Sequence, residues 1–172
     1  MTAGRFALGV PTVLALLLAA CGSGGDEAPY CPAPFTVQDA GRLTHFRDGP
    51  GRDPRDIEYE AVLAAAGTKC TASRNQIEVT LIMRISVAAG PSVVTGPTRV
   101  PVFVRVLDGS NSVAQSLEFT ADFRLTANNP RATSQEELTL RLPYGRDTGG
   151  YRIAVGLKPT PEELNYNRRG RQ

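Results

Sequence analysis

Between residues 76 and 88 the chain alternates with a period of two. Ile77, Val79, Leu81, Met83, Ile85 and Val87 take one set of positions, and Glu78, Thr80, Arg84 and Ser86 take the other. A strand sends successive side chains to opposite faces, whereas a helix returns to one face about every 3.6 residues. This run therefore buries its apolar set only as a strand with one face on a core. The pattern recurs. Val100, Val102, Val104 and Val106 alternate over 99–107, and Leu117, Phe119, Ala121, Phe123 and Leu125 over 115–125. Shorter runs follow at Leu138, Leu140, Leu142 and at Tyr151, Ile153, Val155, Leu157. Pro101 has no amide donor, so its strand is expected to begin there or to run along a sheet edge. Residues 57–66 alternate as Ile57, Tyr59, Ala61, Leu63 and Ala65 but also favour helix by propensity. They are read as strand, because they lead through Gly67 to Cys70 and the next hairpin.

Turn chemistry separates these runs, at Ser73-Arg74-Asn75, Gly90-Pro91, Asp108 to Asn111, Asn128-Asn129-Pro130 and Gly145 to Gly150. With 17 glycines and 13 prolines, the composition also favours a turn-rich chain over a helical bundle. The fold class is all-β, an antiparallel, immunoglobulin-like β-sandwich of six to seven strands. Thr36 to Phe46 is expected to form a helical turn or a covering segment with Val37, Leu43 and Phe46 inward. Thr160-Pro161-Glu162-Glu163 carries a capping threonine, proline at the first helical position and glutamate at the third, so a short helical turn is expected there.

Upstream of the strands, Arg5 precedes an apolar run from Phe6 to Leu18 that ends in Leu18-Ala19-Ala20-Cys21. A span needs about twenty apolar residues, and this run is shorter, with small residues where it would be cut. Residues 1–20 read as an export signal ending in a lipobox, with the Cys21 thiol taking diacylglycerol and the new amino terminus acylated. Residues 21–30 form a short tether, 31–164 the β-sandwich domain, and 165–172 a polar basic tail. Gly22 after the lipidated cysteine resembles sorting to the outer membrane, with the domain facing the periplasm.

With Cys21 consumed by lipid, Cys31 and Cys70 remain for a disulfide in an oxidising compartment. Such a bridge would close a loop of about forty residues, worth about 4 kcal/mol by chain entropy. The alternative is a pair of buried free thiols. His45, the only histidine, has no partner at a metal-ligand spacing. No metal or other cofactor is expected. The 19 basic and 17 acidic residues nearly balance, and Arg5 leaves with the leader, so no field steers nucleic acid.

The chain resembles a family of uncharacterised proteobacterial lipoproteins. The shared features are Cys31-Pro32 after the tether, the loop from Phe46 to Asp53, Cys70, Gly90-Pro91, Pro101-Val102-Phe103-Val104, and Val155 to Leu164 with Asn167-Arg168-Arg169. The resemblance implies an envelope location and a paired-cysteine β-domain. It brings no catalytic or ligand-binding residue.

Candidate chemistry is sparse. His45 near Asp48 is a possible base, but no nucleophile motif accompanies it, so a surface or packing histidine is the expected reading. Asp48, Asp53, Asp56, Glu58 and Glu60 supply oxygens suited to calcium. Arg47, Arg52 and Arg55 are interleaved among the acids and oppose a divalent ion, which favours a salt-bridged loop. Phe103 and Ile82 put apolar groups on otherwise polar faces, calling for cover by the chain itself or by a partner. Arg168, Arg169 and Arg171 suit either a solvated tail or contact with anionic headgroups. The expected function is that of a lipid-anchored interaction or structural module, not an enzyme. It would dock to an envelope protein through a sheet edge or outer face. The alternative is a periplasmic module that binds a small ligand or glycan.

Overall fold

A computed structural model describes residues 30–49, 52–73, 75–143 and 150–169. The leader, Cys21, most of the tether and Arg171 lie outside them. The described residues form two four-stranded sheets packed face to face, with one α-helix. In chain order the strands are β1 (Pro34–Thr36), β2 (Arg42–Phe46), β3 (Ile57–Ala72), β4 (Gln76–Ala89), β5 (Gly96–Leu107), β6 (Val113–Leu125), β7 (Arg131–Pro143) and β8 (Arg152–Leu157). Helix α1 (Pro161–Arg169) follows. One sheet runs β2-β3-β4-β7 and the other β1-β8-β5-β6. All neighbours are antiparallel except β1 and β8, which are parallel. The expected sandwich is present, with eight strands rather than six or seven.

The two extra strands come from the segment read as a helical turn or cover. It forms β1 and β2 instead, with Leu43 and Phe46 buried as expected. Residues 37–41 tie the layers together, since Ala40 accepts from the Leu157 amide and Gly41 from the Leu63 amide. Residues 57–66 are strand. In β3 their inward residues Tyr59, Ala61 and Leu63 join the core, and pairing with β2 and β4 on both sides overrides local helix propensity.

The core is the alternation made solid. Ile77, Val79, Leu81, Met83, Ile85 and Val87 of β4 cluster with Val100, Val102, Val104 and Val106 of β5, all essentially inaccessible. Each buried side chain of this size stabilises the fold by about 1.5–3 kcal/mol. Phe103 is covered from within the chain. Its register partner is Gly156, where an added Cβ would sit 2.7 Å from the Phe103 ring and from Ala40. The Arg105 guanidinium lies 5.4 Å from the ring centroid on another side.

Pro101 corrects an expectation. β5 is an interior strand, between β8 and β6. The pairing of β8 with β5 ends at Val102, and beyond it the Lys158 amide donates to the Pro101 carbonyl at 2.9 Å. A strand residue's N–H and C=O point to the same side, so the missing donor faces the end of β8 and no ladder bond to β6 is lost.

The C-terminal boundary also moves. The expected turn is a nine-residue helix that takes in most of the segment read as a polar tail. The Thr160 hydroxyl accepts from the Glu163 amide, and the Glu163 carboxylate accepts from the Thr160 amide at 2.7 Å, the reciprocal capping box. Beyond that turn, Asn167 is buried. It accepts from the Thr44 hydroxyl at 2.9 Å and donates to the Arg42 carbonyl at 3.0 Å. Tyr166 packs edge-on against Phe46. The helix thus covers edge strand β2.

Candidate functional site

The strand directions and register give the sandwich two distinct ends. At one lie the Cys31–Cys70 disulfide, the β3–β4 and β5–β6 turns and the start of β8. At the other lie the loop after β2, the β4–β5 loop and the start of α1. The disulfide has an S–S distance of 2.09 Å and a Cα separation of 5.6 Å, so Cys31 and Cys70 are a cystine rather than free thiols. The Thr68 hydroxyl donates to the Pro32 carbonyl at 2.8 Å beside it.

The far end holds the chain's only histidine. His45 lies on β2, within the segment expected to form a helical turn or cover. Its Nδ1 is 2.8 Å from Glu163 Oε1, its Nε2 is 3.9 Å from Glu58, and its ring stacks on Tyr59 with centroids 4.8 Å apart. Glu163 is the capping-box glutamate, so one nearly buried carboxylate fixes both the helix start and the imidazole. The bond to Glu163 raises the His45 pKa above its ordinary value, against the opposing effect of burial, with further help from Glu58 and Asp48. Burial alone would push Glu163 up, but the bonds from His45 and Thr160 outweigh it and hold the carboxyl below its usual range. Tyr59 is raised, chiefly by burial and then by Glu163 and Glu58, and its hydroxyl donates to the Arg99 carbonyl at 2.7 Å.

These residues border a groove of about 670 Å³ whose rim includes Val93, Val94, Thr98, Arg99 and Lys158. Its charges are already engaged. His45 faces Glu163, Lys158 Nζ is 2.5 Å from Glu118, and Arg99 is 3.9 Å from Asp122. Among the described residues no hydroxyl or thiol is bonded to His45, and no group of three or more His, Cys, Asp and Glu is placed to hold a metal. The acids of the loop after β2 are drawn to its arginines, as the interleaving suggested. Asp53 binds Arg55 through side chain and backbone, which lowers its pKa to about 2, and it caps the short 3-10 turn Pro54–Asp56. Asp56 is 2.6 Å from Arg47, and Arg52 pairs with Glu162 of α1. Arg168 reaches Asp39 at 2.9 Å, so this arginine belongs to the folded domain rather than to a solvated tail.

The second candidate surface is a sheet edge. β6 and β7, each of 13 residues, are the terminal strands on the same side of the two sheets. They differ in how the edge is protected. The inward positions of β7 include Glu136, and the strand ends in Pro143, two devices that blunt an edge. β6 has no proline and no charged inward residue, its inner face being Gln115, Leu117, Phe119, Ala121, Phe123 and Leu125. Thr120 is the register partner of Pro101, whose backbone polar groups face β8. That makes the pair non-hydrogen-bonded and turns the Thr120 N–H and C=O away from β5 toward the open side. Ser116, Glu118, Asp122 and Arg124 share this orientation by alternation. The sequence pattern had marked β6 as a strand but not as an edge, because strand order is not local information.

No profile of a known protein family matches the chain, and no curated protein matches it either.

Proposed function

We propose that this protein is a lipid-anchored envelope module, tethered through Cys21, that accepts an extended segment of a partner protein along β6. The observation that supports this reading is the unguarded row of backbone donors and acceptors from Ser116 to Arg124. Strand addition draws its affinity from such main-chain groups and its specificity from alternate side chains. On this proposal the module faces the periplasm from the outer membrane and uses no cofactor and no nucleic-acid partner. A small-ligand function is less well supported, because the charged groups around the His45 groove are paired with one another rather than converging on an open point.

The test is site-specific photo-crosslinking in the intact envelope. A photoreactive residue at Ser116 is expected to capture one specific neighbour, and the same residue at Thr133 on β7 is not. Thr120→Pro removes an outward N–H without breaking a bond to β5, and it should abolish the Ser116 adduct while the domain stays folded. Absence of a specific neighbour at Ser116 across growth conditions, or an adduct indifferent to Thr120→Pro, overturns the reading.

A further inference from the structure

The length of the tether and the length of the sandwich, taken together, restrict how the domain meets its bilayer. Cys31 is pinned by its disulfide to Cys70, near the end of β3. Nine residues, 22–30, separate it from Cys21, a reach of about 30–35 Å when fully extended. β4 alone has 14 residues, about 45 Å of strand. The end that holds the His45 groove therefore cannot be turned to the membrane, since the tether is shorter than the body it would have to pass.

Two orientations are left, end-on at the disulfide or flat on one side. The exposed apolar side chains decide between them. Of the four large exposed ones among the described residues, Tyr30 at 63%, Val113 at 58% and Phe35 at 41% lie toward the disulfide end, and Val94 lies at the other. Tyr30 sits beside Gly150, and Val113 opens β6 opposite Leu107. Arg152 stacks over Phe35 with its guanidinium 5.7 Å from the ring centroid, and exposed Lys69 neighbours the cystine. Asp108 also lies at this end, but it is turned inward on its own hairpin, accepting from Ser110 and Ser112. The flanks offer a membrane less. The outward acids of β6 are taken up by neighbouring cations, Glu118 by Arg105 and Lys158 and Asp122 by Arg99, and among the described residues no further large apolar side chain is exposed on either flank. Aromatic and cationic side chains are those that settle at the headgroup level.

We infer that the disulfide end of the sandwich is a membrane-contact surface that rests on phospholipid headgroups through Tyr30, Phe35, Val113 and Arg152, holding the His45 groove away from the bilayer. This rests on the reading that Cys21 is lipidated. The chain has no tryptophan, so single-tryptophan reporters are unambiguous. Val113→Trp, Tyr30→Trp and Val94→Trp are made in the full lipidated chain and reconstituted into phosphatidylethanolamine–phosphatidylglycerol vesicles with or without brominated acyl chains. The first two should be quenched and blue-shifted in brominated vesicles, and Val94→Trp should emit unchanged. All three positions are exposed, and circular dichroism confirms that each variant is folded. Acylated chains in which neither Val113→Trp nor Tyr30→Trp is quenched, or in which Val94→Trp is quenched equally, overturn the inference alone. An unmodified Cys21 by mass spectrometry overturns the anchoring reading and this inference with it.

Discussion

Replacing both cysteines, Cys31→Ser with Cys70→Ser, tests what holds the N-terminal segment to the body. The bridged residues are 39 apart in sequence. Releasing a loop of that length gives the unfolded chain about 4 kcal/mol of conformational freedom. Little else opposes the loss locally. β1 pairs with β8 over three residues, the Val37 amide donates to the Val155 carbonyl, and the Thr68 hydroxyl holds the Pro32 carbonyl. For a domain of this size, 4 kcal/mol corresponds to a drop in Tm of about 8–16 °C. Urea denaturation followed by far-UV circular dichroism gives the free-energy change directly. Hydrogen exchange gives an independent reading, because the buried amides from Ile77 to Val87 open only with global unfolding and should lose protection by the same amount. A loss below about 1 kcal/mol, or β4 amides that keep full protection while only β1 loosens, would refute the loop-entropy reasoning.

The pairing of His45 with Glu163 makes stability depend on pH. His45, raised above its ordinary 6.5, contributes fully below that value and loses its contribution as pH rises through the folded pKa. Glu163, held below its ordinary 4.5, contributes above that value and loses its contribution as pH falls through its own folded pKa. The pair therefore stabilises most in mildly acidic solution between the two. Glu163→Gln should flatten that maximum at a cost of about 1 kcal/mol, a charge-assisted bond discounted for the exposure of His45. The single histidine resonance should move toward its ordinary pKa in an NMR titration, and an unshifted one would contradict the pairing. At Gly156, an alanine Cβ would press on Phe103 and Ala40 at 2.7 Å, so Gly156→Ala should destabilise by about 1–3 kcal/mol. Phe103→Val in the same chain should restore part of that in thermal denaturation, and no rescue would mean the strain lies elsewhere.

The strands of the core were legible because β4, β5 and β6 bury one face more deeply than the other, and because in β8, buried on both faces, the small Ala154 and Gly156 alternate with Ile153, Val155 and Leu157. β7 was seen only from Leu138 onward. Its first half puts Ala132, Ser134 and Glu136 on the inner face, and small or polar residues at an open edge leave no alternation to read. β1 and β2 were hidden for a different reason: at three and five residues they are too short for periodicity, and long-range pairing decides them. The C-terminal helix was visible at its capping box but not along its length, because what extends it is Asn167 bonding to β2 far upstream. The same distance in sequence concealed the partner of His45. The capping-box signature located Glu163, but nothing in the pattern indicated that its second oxygen would meet an imidazole 118 residues earlier.

Cys21 is the proposed membrane attachment on which both the docking edge and the membrane-contact surface rely. Intact-mass spectrometry of the protein recovered from membranes tests this most directly. The predicted species begins at Cys21 and carries diacylglycerol and an amide-linked acyl chain, and Cys21→Ser should release the domain from the membrane fraction. A chain that retains residues 1–20, or one that begins at Cys21 without lipid, would contradict the account.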